Sequence, residues 1–230
     1  MEIQELFALY KKNVDEMNKN LMTIAFDELE NGQYEEAAAH FDQLYVQDPS
    51  DFTFYFLRTF FKSQTGRRGD VYPDSQKLTS ALELSIKKTV ENNKDIDTSM
   101  YIIIDLYLEG MENLADNAVE EVSIDANGKT RTSNPTKIKI TQNMISTVIG
   151  IVKTYANYVK EDESLCELLL GFLHYYESYS LEIVGNAICI LDPSYATTLA
   201  SKIKKAKAKK IIGILIVVAI LAAIAIAVIF

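Results

Sequence analysis

The sequence predicts an all-α protein with a single membrane-spanning helix at its C-terminal end. Three observations predict it. Only four prolines and nine glycines are spread over 230 residues, so few positions break a helix. Apolar residues recur at intervals of three and four along nearly the whole chain, and no stretch alternates for long. Ile211 to Phe230 is a run of 20 residues without a polar side chain. At about 1.5 Å per residue such a helix spans roughly 30 Å, the thickness of a bilayer's hydrocarbon core. A buried core helix is the alternative, but core helices seldom stay apolar on every face.

The N-terminal stretch MEIQELFALYKK carries Glu2 and Glu5 and is charged again at Lys11, unlike a secretory signal. Lys202, Lys204, Lys205, Lys207, Lys209 and Lys210 stand where a lipid-anchor precursor would carry a polar spacer. The expectation is a tail anchor: a single-pass membrane protein whose N-terminal body is cytoplasmic, since cytoplasmic flanks are enriched in lysine and arginine. The formal net charge is −9, and the six lysines contribute +6 with no acid after them, so residues 1–201 carry −15. An acidic body does not suit nucleic acid. The lysine collar suits anionic lipid headgroups, with the body standing off the bilayer. Cys166 and Cys189 share no metal-ligand spacing and read as reduced, packed thiols.

Taken in order, Ile3, Phe7, Tyr10, Val14, Met17, Leu21 and Ile24 are spaced 4, 3, 4, 3, 4, 3, a heptad seam. Such a seam serves a dimerising coiled coil or one long helix laid on its own neighbours. The next stretch, LMTIAFDELENGQYEEAAAHFDQLYVQDPSD, reads helix, turn, helix, stop. Asn31-Gly32 supplies the turn. Glu35 and Glu36 place negative charge at the start of the second helix, whose face is Ala37, Phe41 and Leu44. Asp48-Pro49 ends it.

Residues 18–51 resemble one tetratricopeptide repeat, through Ala25, Gly32, Tyr34, Ala37, Phe41 and the closing Asp48-Pro49. Leu21 stands where that family's first helix has a large aromatic residue, and Glu28 replaces a second one. The resemblance implies stacked helical hairpins and a groove that binds a protein or peptide. The following helix, DFTFYFLRTFFKSQTG, either caps the repeat or lends rings to that groove. The residues assigned to partner binding are Phe41, Tyr45, Tyr55 and Phe56.

The chain breaks at TGRRGDVYPDS, whose first nine residues, 65–73, are read as a linker. Its Arg68-Gly69-Asp70 is taken as a coincidental tripeptide. Residues 74–200 read as about four helices, a bundle or degenerate solenoid. The first is capped by Asp74 or Ser75 and buries Leu78, Leu82, Ile86 and Val90. The second buries Ile96, Met100, Ile103, Tyr107, Met111, Leu114 and Ala118. DANGKTRTSNPTK is a surface loop in which Asn127-Gly128 allows a small hairpin. The third buries Ile145, Val148, Val152, Tyr155 and Val159. The fourth runs from about Ser164 to Ile190, apolar on most sides. Asp192-Pro193 then restarts the helix through the basic stem, 201–210, into the anchor, 211–230. The N-terminal unit is residues 1–64.

No catalytic constellation is visible. His40 and His174 have no partner at ligand spacing, and His174 reads as a packed ring. The acids Asp27, Glu28 and Glu30, and Glu161, Asp162 and Glu163, read as solvated helix ends. There is neither a phosphate loop nor a nucleophile elbow. The expected function is therefore a non-enzymatic, cofactor-free, membrane-tethered adaptor that binds a partner protein or peptide. The alternative is an assembly protein that forms homo-oligomers through the heptad seam and the small-residue face Ala219, Ala223 and Ala227.

Overall fold

The computed structural model describes residues 16–64, 71–92, 96–118, 120–124, 130–209 and 211. These residues are helical apart from short turns and one two-stranded hairpin. The order is α1 (Glu16–Glu30), α2 (Tyr34–Gln47), α3 (Phe52–Gln64), α4 (Val71–Asn92), α5 (Ile96–Asp116), β1 (Glu121–Ile124), β2 (Thr130–Ser133), α6 (Pro135–Glu161), α7 (Glu163–Tyr175) and α8 (Leu181–Leu191). A final helix, α9, covers residues 196–209. Single 3-10 turns lie at Glu177–Tyr179 and Pro193–Tyr195.

Each helix packs on its neighbour in sequence from α1 to α8, and α3 also reaches α5 while α6 also reaches α8. One buried apolar cluster runs from Met22 to Leu199. Helices on either side of the sequence break at 65–73 therefore share a core. α4 begins at Val71, earlier than the expected cap at Asp74 or Ser75, and Ser75 is fully buried inside the helix. Pro73 does not prevent this, because a first-turn N–H has no intrahelical partner to lose.

Most of the faces expected for α4 and α5 are buried, though Val90 is only half-buried and the side chain of Ile96 lies outside the described residues. Leu78, Leu82, Ile86, Met100, Ile103, Tyr107 and Met111 are all fully buried. The polar stretch expected as a loop is partly strand: β1 and β2 pair antiparallel, with Glu121 opposite Ser133 and Ile124 opposite Thr130. Asn127-Gly128 lies outside the described residues. α6 starts at Pro135, where the Asn134 side chain accepts from Lys137 N at 2.8 Å, and it bends at Tyr155 (φ −119°, ψ 24°).

The expected single helix from Ser164 to Ile190 is corrected to two. The chain turns back at residues 176–180, with Ser180 extended (φ −154°, ψ 91°). The reason is burial. α7 buries Leu165, Leu169, Phe172 and Leu173, and α8 buries Val184, Ala187, Ile188 and Leu191. One straight helix over this span would be about 40 Å long and would leave one of those stripes in water; doubling back buries both.

The heptad positions Ile3 to Val14, the Arg68-Gly69-Asp70 tripeptide and the anchor residues after Ile211 lie outside the described residues, as do the side chains of Met17 and Lys210. Among the described residues, no helix is long and apolar enough to cross a membrane.

Candidate functional site

The α1–α2 hairpin is built around its turn. Gly32 has φ 73°, a conformation a Cβ would strain. Gly32 N–H donates to Leu29 O at 2.9 Å and Gln33 N–H to Glu28 O at 2.8 Å, satisfying the last carbonyls of α1. Ala25 and Ala37 are both fully buried, which lets the two helices approach closely. His40 Nδ1 lies 2.6 Å from Glu28 Oε2. An ionised carboxylate only accepts, so the ring N–H donates. Glu28, expected as a solvated helix end, is instead a half-buried partner of α2, and His40 does have a carboxylate partner. The fold brings together residues 12 apart that local spacing did not connect.

Of the four residues assigned to partner binding, two are core. Phe41 is fully buried, stacked on Phe61 at 5.2 Å between ring centroids and edge-on to Phe26 at 5.4 Å. Phe56 is also fully buried and stacks on Phe60 at 6.2 Å. Neither offers surface to a partner, and α3 covers the hairpin with its aromatic face. Tyr45 and Tyr55 are half-buried, with centroids 5.6 Å apart. The Arg58 guanidinium carbon sits 4.7 Å from the Tyr45 centroid and 4.9 Å from that of Tyr55, and Arg58 is ion-paired with Asp42. Val46 beside them is 71% exposed. The result is a preorganised aromatic patch around a cation. A guanidinium has five N–H donors, more than one carboxylate can accept.

A second cluster joins α9 to the α7–α8 turn. Asp192 caps the restart, accepting from Ser194 N at 2.9 Å, with Pro193 in the first position, as expected. Seven residues after Asp192, Leu199 of α9 packs over Gly185 of α8, so the two helices run side by side in opposite directions. Lys202 Nζ then donates to Glu177 Oε2 at 2.6 Å and to Tyr195 Oη at 2.6 Å, while Tyr195 Oη donates to Glu177 Oε1. His174 is exposed on one side and meets Tyr195 edge-on at 5.1 Å on the other. Burial by itself would raise the Glu177 carboxyl, but the bonds from Lys202 and Tyr195 outweigh it and hold it below the ordinary range. Lys202, expected in the membrane-flanking collar, is thus also bonded to the body. Lys204, Lys205, Lys207 and Lys209 are exposed.

Cys166 and Cys189 are free and half-buried, and burial pushes the Cys166 thiol up. No group of three or more His, Cys, Asp or Glu could hold a metal ion among the described residues. Sequence reasoning missed Arg58, Glu177 and Tyr195, whose partners are 7 to 25 residues away. It also passed over a row of acids on α5, Asp105, Glu109, Glu112 and Asp116, whose spacing of 4, 3, 4 was a legible signal. No family model matches the chain, and neither does any curated protein or solved structure.

Proposed function

We propose that this chain is a membrane-tethered helical adaptor that binds a partner protein or peptide, with its acidic body on the cytoplasmic side of a single span at 211–230. The observation that carries the binding reading is the Tyr45–Arg58–Tyr55 patch. Ring–cation–ring packing fixes its shape before any partner arrives, and half-exposed tyrosine and arginine are the residue types that dominate interfaces. The α1–α2 unit is read as a tetratricopeptide-like hairpin. The buried Ala25 and Ala37, the positive φ of Gly32 and the stop at Asp48 support that reading. The membrane reading is supported by the apolar run and by α9, which leads toward it with Lys204, Lys205, Lys207 and Lys209 in water. A second reading, assembly into homo-oligomers through the heptad seam, keeps one favourable observation: Ile24, the last seam residue, is 46% exposed.

The test is a photo-crosslinking residue at Val46 in the full chain, expressed in its membrane. Discrete adducts to another protein, lost with Tyr55→Ala, are the expected result. Adducts only to a second copy of the chain favour assembly, and none at all removes the patch as an interface.

A further inference from the structure

A groove enclosing about 480 Å³ lies between α5 and α7, on a different surface from the tyrosine–arginine patch. Its floor is apolar: Leu108 and Phe172 are buried and Leu168 is half-buried. Tyr175 forms one wall and is 77% exposed, the most exposed large apolar side chain among the described residues. Tyr176, packed against Phe172 at 4.7 Å and Tyr175 at 4.8 Å, steadies it.

The rim is acidic from both helices. α5 contributes Asp105, Glu109 and Glu112, and α7 contributes Glu167. The next acid along α5, Asp116, is paired with Lys137 at 2.7 Å, whereas the four rim acids take part in no ion pair among the described residues. Like charges three and four apart on a helix repel. Burial, then neighbouring carboxylates, holds Glu109 and Glu112 above the ordinary range, and burial does the same to Asp105. The fold therefore carries a negative rim with no ion-paired cation among the described residues, beside an apolar floor and an exposed ring. These acids do not converge on a point that could hold a metal ion. Spread charge of this kind matches a ligand with several separated cations.

We propose that this groove is the docking site for a basic peptide segment of a partner protein, in which lysines or arginines flank an apolar residue. The apolar side chain rests on Leu108 and Phe172, one cation lies over the Tyr175 ring, and the others meet the rim carboxylates. From Asp105 to Glu112 the rim is about 10 Å long, the reach of three extended residues. The proposal rests on the adaptor reading only in taking the ligand to be a protein segment.

The test is fluorescence anisotropy with the full chain in an uncharged detergent and a labelled peptide of Lys-Leu-Lys repeats, with Glu-Leu-Glu repeats as control. Saturable binding of the basic peptide alone is expected. Glu109→Gln with Glu112→Gln should weaken it roughly tenfold, and Tyr175→Ala several-fold. The control pair Glu35→Gln and Glu36→Gln, exposed on α2, should leave it within about twofold. Equal loss from the control pair, or none from the rim pair, would overturn the groove. A rise of roughly tenfold when Lys204, Lys205, Lys207 and Lys209 are all changed to Gln would show that the chain's own stem, or a second copy's, is the occupant, and would overturn a foreign partner. The groove can fail while Val46 still crosslinks to a protein; that pair of results removes this site and leaves the adaptor reading standing.

Discussion

Lys202 Nζ donates to Glu177 Oε2 at 2.6 Å, and that bond sets the direction in which the lysine stem leaves the body. Glu177 lies in the turn between α7 and α8, and its side chain is only 12% exposed. α9 runs back along α8, reaches this turn at Lys202 and continues past it. Lys202 belongs to the fold, whereas Lys204, Lys205, Lys207 and Lys209 beyond it face water.

Truncation after Lys209 is expected to leave a soluble, cooperatively folding protein. Among the described residues the buried cluster ends at Leu199, with Ile203 packed against it. Urea denaturation followed by circular dichroism checks this, and aggregation without a cooperative transition would show that the body depends on the span.

In that truncated chain, Lys202→Gln should cost about 1–3 kcal/mol, because a largely buried carboxylate loses its cation. Lys204→Gln should stay within about 0.5 kcal/mol. The clamp also has a pH signature. The Glu177 carboxyl is held below its ordinary value, so its contribution is present at neutral pH and is lost as pH falls through that lowered value. Equal urea midpoints for the two variants would mean that Lys202 is only a surface lysine.

Three changes in α2 separate a packed hairpin from a loose one. Phe41→Ala should cost roughly 3–5 kcal/mol, since the ring fills space between Phe26 and Phe61. Ala37→Leu should cost about 1–3 kcal/mol by overpacking the crossing. His40→Ala should cost about 1–2 kcal/mol, because it leaves Glu28 without its donor. Wild-type melting of all three would remove the hairpin reading.

Two helical glycines should respond in opposite directions to alanine. A Cβ on Gly110 would lie 2.7 Å from Phe60 Cε2 and 3.2 Å from Leu78 Cδ2. Phe60 is itself held by Phe56 and Phe61, so Gly110→Ala should cost about 1–3 kcal/mol. A Cβ on Gly150 meets nothing within 4 Å, so Gly150→Ala should stabilise by up to about 1 kcal/mol through helix propensity. Thermal melts of the pair decide it.

The acidic rim of the α5–α7 groove makes stability depend on pH. Burial, then like charge, keeps the Glu109 and Glu112 carboxyls above the ordinary range in the fold. They hold protons longer folded than unfolded. Their contribution to stability is therefore best below the ordinary carboxylate value, about pH 4, and falls as pH rises from there through their raised values. Glu109→Gln with Glu112→Gln should raise the neutral-pH melting temperature, by a few tenths of a kcal/mol in stability, and the gain should vanish near about pH 4. A gain that persists unchanged in acid would assign the effect to something other than charge.

The sequence by itself determined the elements whose causes are local. Asn31-Gly32 and Asp48-Pro49 bounded α2 because one needs a positive φ and the other excludes the α region before proline. The stripes Leu78–Leu82–Ile86 and Met100–Ile103–Tyr107–Met111 marked the buried faces of α4 and α5 because helical periodicity reports which side avoids water. Asp192-Pro193 marked the restart of the last helix through its capping chemistry. Only the tertiary structure decided the rest. Nothing between His174 and Leu181 breaks a helix on its own, and the reversal there follows from the burial of two stripes against α6. Arg58 on Asp42, His40 on Glu28 and Lys202 on Glu177 each join residues a dozen or more positions apart. A polar side chain carries no periodic trace of its distant partner. Its partner is chosen when packed helices bring the two within hydrogen-bond reach, and that geometry belongs to the fold.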